Sequence, residues 1–479
     1  MVAASTMAAA RRDDARSAAA ESRLRLLIAS GGDDRIWPDP VTRRNRYGVP
    51  SAPAPDELWF SSSTACAVSP RGWAAAGEAL ESVTEGGACV GAWFDSLRSR
   101  LKAICGAPGA EVVLSASGTE AELVALHLSL ALAPGPIVNI VVAPAETGSG
   151  VPAAAAGRHF LARASLSGGA VPKGERLPGW ADADIALATV EIRRPCGAPR
   201  PQGDIDAEAI AKADAAVARG AFALLHVLDA SKTGRAGVSR AAARDVARRY
   251  PGRALVLVDA CQLRCPPEAI RDDLEAGLAV MITGSKFAGG PAFCGALLLP
   301  AAVVERIAGV CADATPLGPY SALLDWPAAL RRRFGRGLAH AANLGLGLRW
   351  TAALAEIEAY VALPTATRTA LLAAFSRAVR GRVAADPALR LLDPDLADRG
   401  LAPIVHADGS EPRGVYAALQ RGDAGVPPCH LGQPVAVGPR TALRVCASMG
   451  MIVEAANTGF ARLEADLDQV FAAWARLRA

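Results

Sequence analysis

Between residues 111 and 300 short apolar runs alternate with stretches whose apolar positions recur at helical spacing. Each run ends at small or polar residues. Glu111 to Leu114 leads into Ser117-Gly118-Thr119, Ile137 to Val142 into Pro144, Phe222 to Leu228 into Asp229, Ala254 to Val258 into Asp259, and Ala279 to Ile282 into Thr283-Gly284. Runs of this kind predict strands buried on both faces, and their alternation with helices predicts a mostly parallel sheet covered on each side. The expected fold class is α/β with a doubly wound sheet. Ligands in such sheets bind outside the carboxyl ends of the strands, so the residues just after each run are where chemistry is sought.

The flanks of this pattern differ. Residues 34 to 56 are rich in Pro, Arg and Asp, which predicts an extended arm, and the ordered body is expected to begin near Leu58. From Leu344 to Tyr360 the spacing is that of a long connecting helix. Two further strand-like runs follow, Val435 to Val437 and Ala442 to Cys446, and then an amphipathic helix from about Phe460 to Leu477. The division expected is an N-terminal helix and arm over 1–57, a large domain over 58–342, and a connecting helix with a smaller α+β domain over 343–479.

Composition narrows the classes. With 51% apolar and 20% charged residues, the 479-residue chain is globular rather than disordered or fibrous. A net charge of +4 is too small and dispersed to argue for nucleic acid or an acidic membrane, and Arg331-Arg332-Arg333 with Arg336 reads as a solvated face. Ten scattered cysteines without a Cys-x-x-Cys pair argue against a metal site and a disulfide framework, so a reducing cytoplasm is expected. No continuously apolar stretch is long enough for a membrane span, and Asp13-Asp14 and Glu21 weigh against a transit peptide.

Three strand ends carry candidate chemistry. Thr283-Gly284-Ser285-Lys286-Phe287-Ala288-Gly289-Gly290 places a lysine at the mouth of an apolar sheet. Such a lysine is a solvated loop residue or one neutralised by use, for instance as a Schiff base with an aldehyde. Asp259, 27 residues earlier, ends the preceding run in Val258-Asp259-Ala260-Cys261-Gln262. It is a helix cap or a partner that keeps a pyridine nitrogen protonated. Ser117-Gly118-Thr119-Glu120 is an N-cap or a phosphate cradle at a helix start. No GxxxxGK[ST] motif is present, and Gly345-Leu346-Gly347 lies in a helical context unsuited to a dinucleotide fingerprint.

Taken together these pieces resemble the fold-type I pyridoxal-phosphate enzymes, in particular the class V aminotransferase and cysteine desulfurase branch. The resemblance implies pyridoxal 5'-phosphate on Lys286, with Asp259 at the ring nitrogen and Gln262 at the ring hydroxyl. It implies a phosphate loop of Ser117, Gly118 and Thr119, helped by Thr283 and Ser285. The segment His226-Val227-Leu228-Asp229-Ala230-Ser231-Lys232-Thr233-Gly234 looks like the family's ring-contacting segment and implies a hydroxyl contact from Ser231. Arg444, in Ala442-Leu443-Arg444-Val445, is similar to the arginine that grips the substrate carboxylate. Two positions depart from the desulfurases: Glu146-Thr147 stands where they carry a ring-stacking histidine, and Ser285 where another histidine precedes the lysine. Thr147 is therefore the expected, weaker contact to the ring, within a loop over 146–150 that shapes the pocket.

The resemblance implies an enzyme acting on an α-amino acid through a Lys286 aldimine and a quinonoid intermediate, as a homodimer with its sites at the subunit interface. A second expectation is a carbon-sulfur lyase of the desulfurase or selenocysteine-lyase kind, using Cys429, which lies 15 residues before Arg444, as persulfide carrier. His430 is then a substrate acid/base or a structural residue. A third is a non-catalytic partner-binding scaffold. Arg46, Tyr47 and Gly48 of the arm and Ser61 to Thr64 are candidates for the substrate entrance, or a solvated linker and a capped loop.

Overall fold

A computed structural model describes residues 18–133, 135–423 and 425–478; Asp13-Asp14 and the start of the 1–57 segment lie outside them. Seven strands make the larger sheet: β2 (Glu111–Ser115), β3 (Ile137–Val142), β4 (Ile185–Val190), β5 (Phe222–Leu228), β6 (Ala254–Ala260), β7 (Ala279–Thr283) and β8 (Gly295–Leu299). Their order is β2-β8-β7-β6-β5-β3-β4. β3 to β7 are mutually parallel, and β8 runs against both neighbours. Every residue of β3, β5, β6 and β7 is buried, as strands covered on both faces require. The α/β class with a mostly parallel doubly wound sheet is thus observed. β4 forms the sheet edge, burying Ile185 and Val190 at its ends and leaving Ala186, Leu187 and Thr189 exposed.

A smaller sheet has the order β1-β11-β12-β10-β9, from Leu58–Phe60, Cys429–Val437, Arg440–Cys446, Leu401–His406 and Leu389–Leu391. β1 pairs in parallel with β11, setting Leu58 against Cys429 and Trp59 against His430. Residues 58–60 therefore lie in the C-terminal sheet although the large domain was expected to begin there. The arm before them is ordered by turns rather than extended throughout. Asn45 accepts the amide protons of Tyr47 and Val49, and Arg44 pairs with Glu57. Ile36 and Val49 of the arm pack with Phe293.

The connecting helix, Leu344–Val361, is where the lysine loop is seated. A Cβ on Gly284 or on Gly290 would lie 2.5 Å from the Ala353 Cβ, so only glycine lets this loop rest on the helix. The Gly289 amide donates to the Lys286 carbonyl and that of Gly290 to the Gly284 carbonyl, both at 2.9 Å, closing the loop around the lysine.

Candidate active site

A cavity of about 420 Å³ opens at the carboxyl ends of the parallel strands. The large sheet contributes Ser117, Gly118 and Thr119 after β2, residues 145–149 after β3, Lys232 after β5, Asp259, Cys261 and Gln262 at the end of β6, and Thr283, Ser285 and Lys286 at the end of β7. The small sheet closes it with Gln433 to Ala436 and Arg444. The N-terminal segment adds Arg35, Tyr47, Ser63 and Thr64.

Asp259 is held from two sides. One carboxylate oxygen accepts the Cys261 amide at 3.0 Å and the other accepts the Thr147 hydroxyl at 3.1 Å. Thr147 thus reaches the cavity by orienting Asp259, since a short hydroxyl side chain has no ring face to offer. Gln262 donates its amide to the Ser63 carbonyl at 3.3 Å, while its Oε1 and the Ser63 hydroxyl are buried without partners among the described residues. Buried polar atoms without partners call for a polar group that the protein itself does not supply.

The helix Gly118–Leu132 starts at the cavity. Ser117 caps it, accepting the Thr119 amide at 3.1 Å and the Glu120 amide at 3.4 Å and donating to the Glu120 carboxylate. A Cβ at Gly118 would meet the Cys261 sulfur at 2.6 Å, so this helix start packs against the Asp259 turn. Burial, with Asp33 nearby, pushes the Glu120 carboxyl up toward its neutral form, which lessens its repulsion of an anion at the helix start. The Thr283 hydroxyl donates to the Cys261 carbonyl at 2.7 Å.

Arg444 projects from β12 opposite Gly432 of β11. Its guanidinium donates to the Gln433 carbonyl at 2.7 Å, to Thr64 at 3.0 Å and to the Lys232 carbonyl at 3.3 Å, fixing the fork at the cavity wall. Burial, only partly opposed by Cys446, Tyr416 and Glu146, lowers its pKa.

Three expected residues are not brought to this cavity. Ser231 is turned away, its hydroxyl donating to Glu146 at 2.8 Å, while the next residue, Lys232, takes the wall. Cys429 is fully buried at the start of β11, its sulfur 3.1 Å from the Pro427 carbonyl, and burial pushes its thiol up to about 12. A protonated, enclosed thiol is a poor nucleophile. His430 stacks on Trp59 with ring centroids 3.8 Å apart, and its Nε2 lies 2.7 Å from a Glu57 carboxylate oxygen. The β1–β11 pairing commits both residues to the small sheet.

Sequence reasoning left two cationic cavity residues without a role. Arg35 is clamped by Asp33 at 2.8 and 2.6 Å and lies 5.0 Å from the Phe293 ring, an arrangement made by the arm crossing to the loop before β8. Lys232 stood inside the motif quoted around Ser231, and strand-end position was the signal that could have found it. Among the described residues no group of His, Cys, Asp and Glu could hold a metal ion.

No model of a protein family matches this sequence, and no curated protein matches it significantly. Solved structures do match. The cysteine desulfurase CsdA from Escherichia coli aligns over 88% of this chain and 94% of its own at 15% identity, with a TM-score of 0.56. The alanine–glyoxylate aminotransferase from Nostoc sp. aligns over 89% and 96% at 15% identity, TM-score 0.53. Oryza sativa TDC with PLP aligns over 86% and 84% at 16% identity, TM-score 0.51. The chain has their fold. In that fold the cavity found here sits between the large and small sheets of this chain, with Lys286 on one wall and Arg444 on the other. No helix among the described residues is long and apolar enough to cross a membrane.

Proposed function

We propose that the protein is a pyridoxal-phosphate-dependent enzyme of the aminotransferase class V type acting on an α-amino acid, as a cytoplasmic homodimer. The observation that carries this reading is the meeting of Lys286, Asp259, Gln262, the helix start at Ser117 to Thr119 and Arg444 around one cavity. The donor set fits the cofactor: an amine for its aldehyde, a carboxylate for its ring nitrogen, the unpartnered Gln262 Oε1 and Ser63 hydroxyl for ring substituents, and helix-start amides for its phosphate. Lys286 would hold it, with Asp259, Gln262, Thr283, Ser285 and residues 117–119 around it. When bound, the cofactor supplies an electron sink for charge developing at the substrate α-carbon.

The chain's own residues supply the remaining work. Arg444 takes the substrate carboxylate with its fork and so fixes which α-carbon bond faces the reacting centre. The Lys286 amine removes and returns the proton at that carbon. Thr147 and the Cys261 amide keep Asp259 aimed, so that its charge costs no reorganisation during reaction. The enclosed Cys429 thiol supports transformation at the amino group over persulfide transfer through that residue.

An absorbance spectrum of the protein with pyridoxal phosphate, titrated with amino acids, tests the proposal. A visible to near-ultraviolet band that one amino acid shifts, and that Lys286→Ala abolishes, is expected. No band in the wild type, or turnover retained in Lys286→Ala, overturns it and favours the scaffold. Cys429→Ser is expected to keep turnover, and loss of a sulfur-releasing activity in that variant would restore the lyase reading.

A further inference from the structure

Among the described residues four cationic side chains line the cavity: Arg35, Lys232, Lys286 and Arg444. Arg35 is already neutralised by Asp33. The function proposed above occupies Lys286 with the cofactor and Arg444 with the α-carboxylate. Lys232 is left over. Glu146, the acidic residue whose field reaches it, is saturated: one carboxylate oxygen is paired with Arg193 at 2.5 Å, and the other accepts from Ser231 and Thr233. Among the described residues the Lys232 Nζ makes one hydrogen bond, to the Ala145 carbonyl at 3.5 Å, at an exposed position.

The backbone beneath this amine is nevertheless held in place. The Lys232 amide donates to the Glu146 carbonyl at 2.8 Å, and its carbonyl accepts from the Arg444 guanidinium at 3.3 Å. The Lys232 backbone and the Arg444 guanidinium are thus tied together at the cavity, and the charge of Arg444 reaches the Lys232 amine. Burial, reinforced by the charges of Arg444 and Lys286 and opposed by Glu146, pushes the Lys232 amine down to about 8. A second negative charge on the ligand would relieve both the repulsion and the missing partner.

We infer that Lys232 is a specificity residue that receives an anionic side-chain group of the amino substrate, a carboxylate in the first instance, while Arg444 receives the α-carboxylate. This rests on the reading of the cavity as an amino-acid site. It predicts an amino dicarboxylic acid, or an amino acid with another anionic side chain, as substrate.

The test uses the pyridoxal-phosphate-loaded full chain and the concentration of amino acid that half-shifts its absorbance band. Glutamate and aspartate are compared with glutamine and asparagine, and O-phosphoserine with serine. The wild type is expected to prefer the anionic member of at least one pair by about tenfold or more. Lys232→Met is expected to collapse that ratio toward unity, and Lys232→Arg to retain part of it. The cofactor band reports that each variant is folded and loaded. A loaded wild type that treats the members of every pair alike, or a ratio unchanged in Lys232→Met, overturns the specificity role and leaves the cofactor reading intact. Absence of the band in the wild type removes both.

Discussion

Burial first, then the charges of Arg444 and of the free Lys286, push the Lys232 amine down to about 8 against the opposing pull of Glu146, and burial and Arg444 still act on it once Lys286 holds the cofactor. Below that pH the charge is present and the preference for an anionic side chain should be full; as pH rises through about 8 the amine becomes neutral and the preference should fade. The half-saturating concentrations of glutamate and glutamine, measured from about pH 7 to about pH 9.5, should therefore converge, the ratio cancelling any titration that affects both ligands. A ratio that stays constant across that range would take the amine out of recognition. The neighbouring Thr147 acts differently, through Asp259. Removing its hydroxyl in Thr147→Val deletes one hydrogen bond, worth about 1 kcal/mol, and should weaken cofactor binding by about fivefold in equilibrium dialysis. Binding unchanged in that variant would show that the Cys261 amide alone keeps Asp259 in place.

At the scale of elements, the lysine loop is defined by what it lacks. Gly284 and Gly290 bring its backbone onto Ala353 of the connecting helix, where a methyl group on either would overlap the Ala353 Cβ. Gly290→Ala should lower the thermal midpoint through overpacking of about 1–3 kcal/mol, and Ala353→Gly in the same chain should recover part of the loss. Additive destabilisation in the double variant would place the strain elsewhere in the loop. The sequence made Lys286 and Asp259 legible because fully buried parallel strands print continuous apolar runs, and the polar residue ending each run stands out. It left β4 unread although Ile185 to Ala188 is an apolar run, and β1 because three residues carry no period. Cys429 lies away from the cavity for a related reason. Its spacing to Arg444 counts residues around a hairpin, whereas the β11–β12 register sets Gly432 opposite Arg444 and brings Gln433 to Ala436 to the cavity. Arg35 was invisible because it reaches the site by the path of the arm, which no local pattern records.

Across the whole molecule, one buried ion network ties the two sheets together beside the cavity. Arg193, after β4, pairs with Glu146 after β3 at 2.5 Å and with Asp393 after β9 at 2.5 Å, and Arg235 adds a contact to Asp393 at 3.2 Å. The large sheet supplies Glu146, Arg193 and Arg235, the small one Asp393. Because Lys286 and Arg444 stand on opposite walls, the spacing between them depends on how this network holds the sheets. Charges enclosed this way contribute little net stability when all partners are present, but removing one leaves its partners desolvated, at about 3–5 kcal/mol. Arg193→Met should therefore lower the unfolding free energy by about 3 kcal/mol. Asp393 would keep Arg235, so the larger part of the loss should fall on Glu146, left with the Ser231 and Thr233 hydroxyls alone. Adding Glu146→Gln to Arg193→Met should then restore stability, since the double variant buries one charge fewer than the single one. Denaturant unfolding of the two single variants and the double one forms the cycle that measures this, and a double variant as unstable as the sum of the singles would mean that the network does not act as a unit. The same Arg193→Met chain should bind amino acids more weakly, because the wall carrying Thr147 and the wall carrying Arg444 lose their common anchor.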